Sequence, residues 1–422
     1  MTAVAGLLDA SPEAVEQDIA EAYALVRAYE GDHMVSEEGD PHTEFARLRR
    51  RAAVHRSTLE RVLTGADSTQ ETVTPAWHVV SFAAAEQVIR DEDTFSSSAY
   101  DDSMGRVIGR SFLEMDHQEH RTWRSILQGG FNRQAVLARR EEIRSTVTSR
   151  LSSITARGSG DLVADVAFPV ALTTIARMAG LPHGTRIGTL YTWAVGLRED
   201  PDGRIRHGAE ELLDTPSAWA PGSLMDLLLR AENPTIGTGP RLLPALRLLL
   251  STGTEPPCRS LATLMYTALT DPWVPALLRT DPSLAPAVFQ ECWRWEPPLT
   301  WVFRRCTTDT ELAGRKIGRG ELVCVNLASA NRDDTRWSHA HLFDFRREPL
   351  PSLAMGTGPH TCLGRHLAAA EAQELLPELI SAVDSAWPMG WTLHTDGPAG
   401  RGFRSPGHLG IRLGTTQGLT SK

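Results

Sequence analysis

The chain is poor in lysine and cysteine and has no long apolar run. Lysine occurs only at Lys316 and Lys422, so arginine carries nearly all the positive charge. No long basic run is present, and 43 Lys+Arg against 52 Asp+Glu leave a net charge of −9, which argues against nucleic acid as a partner. The five cysteines, Cys258, Cys292, Cys306, Cys324 and Cys362, are odd in number, scattered and never arranged as CxxC. That excludes a disulfide framework and a zinc site as readings and fits a reducing cytoplasm. Nowhere does the sequence approach the ~18–20 unbroken apolar residues of a membrane span. Residues 1–30 lack the basic start and apolar core of a secretory signal, so the expected location is cytoplasmic. With 41% hydrophobic and 23% charged residues, the composition excludes wholesale disorder and a fibrous protein.

What is there reads mostly as helix. Apolar residues recur at three-to-four spacing over 12–30, 42–53, 83–91, 118–128, 134–157, 164–179, 222–231, 241–250, 258–270, 284–294 and 364–384. Strand-like runs are few: Trp77–Ser81, Thr300–Arg304, Glu311–Ile317 and Leu322–Leu327. The last two flank Gly318-Arg319-Gly320, which reads as a tight turn between paired strands. No repeat or linker divides the 422 residues. The expectation is one mainly α unit spanning 1–422, with a small β-rich portion around 55–82 and 300–330.

The most informative segment is Met355-Gly356-Thr357-Gly358-Pro359-His360-Thr361-Cys362-Leu363-Gly364-Arg365, followed by an amphipathic helix. Glycines permit sharp turns and close backbone approach to a flat ligand. A cysteine just before a helix gains thiolate stabilisation from the N-terminal amides, so it suits a nucleophile or an axial metal ligand. The segment resembles the heme-binding loop of the cytochrome P450 family, with Gly356, Gly358, His360, Cys362 and Gly364 in place and Met355 where that family has phenylalanine.

Further segments resemble the family in its order. Glu291-Cys292-Trp293-Arg294 puts opposite charges at i and i+3 on one helix face. Alone it describes a surface ion pair. Before Pro297-Pro298 it resembles the family's structural Glu–Arg pair, which assigns Glu291 and Arg294 to the fold. The arginine common in the meander that follows is absent, with Leu342 in its place. His120 and Arg124 are four apart on a helix and reach the same side. By resemblance they bind heme propionates, together with His360 and either Arg304 or Arg305. Arg304 fits the family's position best, and Arg305 is the alternative, since adjacent strand residues face opposite ways.

The resemblance implies the P450 fold, heme b (iron protoporphyrin IX) with Cys362 as axial ligand of the iron, a small organic substrate, and electrons from a ferredoxin and its reductase. It implies oxygen insertion or oxidative tailoring in specialised metabolism. Gly356 and Gly364 would bed the cofactor. Substrate-pocket positions carried over are Gly253, Pro256, Leu299, Thr300, Val302 and Phe403.

Two departures matter. The family's oxygen-activating helix carries an acid followed by threonine, and here the stretch reads Thr252-Gly253-Thr254-Glu255-Pro256-Pro257. The hydroxyl position is Pro256, which has neither a side-chain donor nor an N–H. Two prolines should kink or open the helix near Thr252. Glu255 and Thr252 remain the candidates for proton delivery. Three readings stay open: a monooxygenase in which the substrate's hydroxyl, Thr252 or Thr254 replaces the missing alcohol; non-standard heme chemistry, such as peroxide-driven oxidation, nitrene-type transfer or rearrangement; and a non-catalytic accessory homologue of a partner enzyme. The second departure is a short stretch between Trp193 and Asp226, which predicts a truncated or loose roof over the cavity, or one rebuilt from shorter helices.

Overall fold

The computed structural model describes residues 7–33, 40–58, 75–231, 233–386, 390–400 and 402–414. Residues 59–74, inside the expected β-rich portion, lie outside the described residues. The helices that build the site are α1 (Pro12–His33), α2 (Pro41–Arg51), α3 (Phe82–Arg90), α4 (His117–Phe131), α5 (Arg140–Arg157), α6 (Phe168–Ala179), α7 (Ile187–Ala194), α8 (Arg204–Leu213), α9 (Leu243–Thr270), α10 (Ala285–Trp295) and α11 (Arg365–Ser381). Local chemistry sets several ends. Asp40 accepts from the His42 amide ahead of Pro41 to start α2, and Gly158 closes α5 at a φ of 75°.

The largest core joins these helices. Leu172 and Ile175 of α6, Leu246, Leu250 and Leu261 of α9, and Leu375 and Leu379 of α11 share one buried cluster. Strands β1 (Val54–Ser57), β2 (Ala76–Val79), β3 (Phe95–Ser96), β4 (Trp301–Cys306), β5 (Thr310–Leu312), β6 (Arg315–Ile317) and β7 (Leu322–Asn326) form the β portion. Five of them make one sheet in the order β1-β2-β7-β4-β3, with only β2 and β7 parallel. Its faces are filled by Val79, Val323 and Val325 against α3, and by Trp301 and Cys324 against Phe45 of α2. Ser159–Asp161, Gly410–Leu413 and Trp391–His394 form a smaller sheet.

Several expectations need correction. Strands β5 and β6 pair with each other through a turn at Ala313 and Gly314, whose φ values are 47° and 77°. Gly318-Arg319-Gly320 therefore does not join paired strands: it leads into β7, which pairs with β4 and β2. The two helical stretches expected at 241–250 and 258–270 are one continuous helix, α9, running through Pro256 and Pro257. Tertiary packing outweighs the local proline penalty of about 3 kcal/mol per residue. The short 193–226 stretch is built from brief helices that are packed, not loose: α8 buries Ala209, Leu212 and Leu213. Its neighbour α7, which periodicity missed, buries Leu190, Tyr191 and Trp193 and lies against α1.

Candidate functional site

The cysteine loop precedes α11. Gly356 and Gly358 adopt φ values of 62° and 69°, where only glycine is unstrained, and a Cβ on Gly358 would sit 3.0 Å from the Arg90 Cα of α3. The Cys362 amide donates to the Met355 carbonyl at 2.8 Å, which closes the loop. Cys362 is exposed only in the sense that its sulfur opens on an internal cavity, where it is otherwise enclosed by protein. That burial raises its thiol pKa, opposed by the Gly364 amide and by the charges of Arg124 and Arg365. A Cβ on Gly364 would lie 4.0 Å from the sulfur.

The same cavity is lined by His120, Arg124, Arg304 and His360. Helix α4 supplies the first two, strand β4 the third and the cysteine loop the fourth. His120 and His360 stack with centroids 4.0 Å apart, and His120 Nδ1 is buried without a partner. Burial, then the neighbouring His360 and Arg124, pushes His120 down to about 3. His360 Nε2 lies 3.1 Å from Ser97 Oγ and 3.4 Å from Asp116 Oδ1. Burial alone would raise Asp116, but hydrogen bonds from His360, Ser96 and the Ser97 amide outweigh it and bring it to about 2.

Arg304 is only 6% exposed, and its partners are neutral: its own Phe303 carbonyl at 2.7 Å and the Tyr100 hydroxyl. The other buried arginines, Arg259, Arg294, Arg332 and Arg404, each meet a carboxylate. Among the described residues Arg304 and the half-buried Arg124 have none. Buried cations need anionic, hydrogen-bonding partners. The donor set facing the Cys362 sulfur therefore fits a flat ligand that carries carboxylates. Arg305 turns the other way, towards Asp102 and the Gly320 carbonyl, so the alternation along β4 separates the two arginines.

The proximal scaffold is fully paired. Arg294 grips Glu291 through two 2.7 Å bonds and donates to the carbonyls of Asn331, Ala340 and Leu342. A third member was missed from the sequence. Arg347 donates to Glu291 Oε1 at 2.9 Å and to the Leu342 carbonyl at 3.0 Å. An arginine five residues beyond Leu342 thus fills the place left open there, and only the path of the irregular meander reveals it.

Thr252, Gly253, Pro256 and Pro257 of α9 line the same cavity as the sulfur, with Leu299 and Val302. Thr252 Oγ1 donates back to the Leu248 carbonyl at 2.7 Å. Gly253 has no room for a Cβ because Ile175 of α6 packs onto it. Glu255 is not part of this wall. It accepts from Tyr191 Oη at 3.2 Å and from Arg259 at 2.6–2.8 Å on another face of the helix. Burial lifts it to about 7, against the pull of the Tyr191 hydroxyl. Thr254, Thr300 and Phe403 are also outside the lining. Thr254 and Thr300 are fully buried with unpartnered hydroxyls, and Phe403 bridges Leu299 from the C-terminal segment.

A helical protein with a cysteine loop facing a cation-lined cavity is a cofactor-dependent enzyme scaffold. Residues 279–385 match the family model described as Cytochrome P450. Over 340 residues the chain is 30% identical to Cytochrome p450 CYP199A2 of Rhodopseudomonas palustris, covering 74% of this chain and 81% of that protein. It is 30% identical over 283 residues to nocardicin C N-oxygenase of Nocardia uniformis, covering 64% and 71%. The crystal structure of HmtN, a post-tailoring hydroxylase involved in himastatin biosynthesis, superposes with a TM-score of 0.73 at 25% identity, covering 88% and 96%. The chain belongs to the cytochrome P450 family and has its fold. It is a heme-iron oxidoreductase of the monooxygenase type. No helix among the described residues is long and apolar enough to cross a membrane.

Proposed function

We propose that this protein is a heme b monooxygenase, with Cys362 as the iron's axial ligand, acting on a small organic molecule in specialised metabolism. The observation that carries the assignment is Arg304, a buried arginine with no carboxylate that opens on the cavity holding the Cys362 sulfur. Arg304, Arg124, His120 and His360 would bind the two propionates, and Gly356 and Gly364 would keep the loop clear of the porphyrin face. When bound, the thiolate-ligated heme supplies oxygen chemistry in which the sulfur's electron donation favours O–O cleavage. The chain's own residues bind and orient. Leu299, Val302 and the α9 wall offer the substrate an apolar surface, and the Gly364 amide, Arg124 and Arg365 favour the ionised sulfur. The natural-product roles printed for nocardicin C N-oxygenase and HmtN support the metabolic setting. A ferredoxin, reduced by its reductase, fits the exposed Arg133 and Arg365, which have no acid partner among the described residues; Arg121 is already paired with Glu92. The whole chain acts as one unit in the cytoplasm.

A specific observation favours non-standard oxidant use as a second reading. Among the described residues no acid–alcohol pair faces the cavity: Pro256 stands on the wall, Glu255 turns away, and the Thr252 hydroxyl is returned to Leu248. Proton delivery would then fall to bound water, the substrate or the histidines of the lining, and not to an acid–alcohol pair on α9. The carbon-monoxide difference spectrum of the reduced protein, with heme quantified, tests the main assignment. A red-shifted thiolate-type band with about one heme per chain supports it. Absence of heme, or only the shorter-wavelength band, overturns it in favour of an accessory protein. Turnover with peroxide against turnover with a ferredoxin system then separates the two chemical readings.

A further inference from the structure

Helix α9 is damaged in its backbone where it passes the cavity. The Thr252 carbonyl would take its α-helical bond from residue 256 and a π-type bond from residue 257, and both are proline. The Gly253 carbonyl likewise loses its i+4 donor at Pro257. Among the described residues no side chain donates to either carbonyl, yet the helix continues to Thr270. Something else must hold the halves in line.

Side chains bridge the break on the face away from the cavity. Glu255 lies just before the prolines and Arg259 just after, one helical turn apart, and they are joined at 2.6–2.8 Å. Arg259 is only 7% exposed and is also gripped by Glu30 of α1, itself 6% exposed, and by Ser405 Oγ at 3.4 Å. Glu30 takes a further bond from Arg27 at 2.8 Å, so two carboxylates and two guanidiniums alternate from the surface to the break. Glu30 is not needed to fasten α1. Asp18 already accepts from the Gly188 and Thr189 amides at the start of α7, Tyr23 Oη donates to the Gly407 carbonyl, and Ile19, Ala22 and Val26 are buried. Burying an acid and an arginine is costly and is offset only by close pairing and further hydrogen bonds, so the pair is a poor choice for fastening a helix alone.

We propose that Glu30 and Arg259 are positioning residues that act through Glu255 to keep the two halves of α9 in register across Pro256-Pro257, and so fix the α9 wall of the Cys362 cavity. The N-terminal helix is then a working part of the distal site. The inference uses the proposed heme assignment only for its effect on ligand binding.

The test is a cycle in the full-length holoprotein: Glu30→Gln, the double variant Pro256→Ala/Pro257→Ala, and the triple variant. Amide hydrogen exchange is read at residues 258–262, with imidazole affinity as the second signal. Losing one charge-assisted bond should speed exchange there by about tenfold or more in the native background. In the alanine background, where residues 256 and 257 regain amides for Thr252 and Gly253, the effect should shrink to about twofold or less, and imidazole affinity should follow the same pattern. Glu30→Asp, which keeps the charge, should restore slow exchange in part and serves as the foldable substitute if Glu30→Gln is unstable. Equal effects in both backgrounds would mean that Glu30 merely fastens α1, and no effect in either would equally overturn the proposal. Exchange is read without reference to heme chemistry, and the carbon-monoxide spectrum of the unaltered protein judges that assignment separately.

Discussion

Replacing Arg304 with methionine should have opposite effects on the heme-free and heme-loaded protein. Arg304 is 6% exposed and has only neutral partners, the Phe303 carbonyl and the Tyr100 hydroxyl. Burying an ion costs several kcal/mol, and an uncompensated one is often improved by an apolar side chain of similar length. The heme-free variant should therefore gain about 1–3 kcal/mol in urea unfolding. In the holoprotein a propionate held by the guanidinium would be worth about 4 kcal/mol, taking a contact of about 4 Å and an effective dielectric of about 20. Removing the cation leaves that carboxylate buried and unpaired, a loss of about 3–5 kcal/mol. Heme should then transfer to an acceptor protein about 100-fold faster or more, if the loss appears mainly in the off-rate. Unfolding of both forms and heme-transfer kinetics measure the two signs. A variant that destabilises both forms alike, or that leaves heme retention unchanged, refutes the assignment of Arg304 as a cofactor contact.

Arg347→Leu removes a bond to a buried carboxylate and one to the Leu342 carbonyl, so chemical denaturation should register a loss of about 1.5–3 kcal/mol. The loss should shrink in a Glu291→Gln background, where the bonds of Arg347 to the Ser338 and Leu342 carbonyls remain to be lost but the charge pair is already gone. For His120, the heme-free folded protein holds the imidazole at about 3, below its ordinary value of about 6.5. The unfolded chain therefore binds the extra proton first, so this stability is present above about 6.5 and is lost as pH falls from there towards about 3. His120→Gln should flatten that slope in a pH series of unfolding curves, and loading heme should flatten it too, because propionates favour the imidazolium. Gly253→Ala would drive its methyl into Ile175, costing about 1–3 kcal/mol by thermal or urea unfolding, and Ile175→Ala, which removes the two nearest clashing carbons, should cost less in that background than in the native chain.

The cysteine loop was legible because its chemistry is local: glycines at fixed offsets, one cysteine and a following helix need no knowledge of distant chain. The His120 and Arg124 pair was legible for the same reason, since i and i+4 share a helix face. What escaped depends on remote partners. The Glu–Arg scaffold looked short of its third member because position 342 is leucine, whereas Arg347 reaches Glu291 from the irregular meander. Helix α7, eight residues long, gave too weak a periodic signal to be found, although it supplies Tyr191 to Glu255. Two prolines argued for an opened helix, yet α9, packed on α6, runs on continuously. The facing of Glu255 was equally hidden: adjacent helical residues differ by about 100° in direction, so only the helix's orientation decides which one meets the cavity.

The distribution of buried charge is itself an argument for where the cofactor sits. Glu296 is buried among His42, Arg332 and Arg404, which hold its carboxyl well below the usual range despite its burial. Glu291 answers Arg294 and Arg347, and Glu30 with Glu255 answers Arg259. Each of these groups supplies its own counter-charge, as a buried ion requires. Around the Cys362 cavity this rule fails in one direction only. Arg304 and Arg124 meet no carboxylate among the described residues, and Asp116 is taken up by His360, Ser96 and the Ser97 amide. A protein that balances charge in three other buried clusters has no structural reason to leave cations unmatched here. The negative charge would be brought by what binds between them, as the two propionates of the proposed heme would, beside the sulfur proposed as its iron ligand.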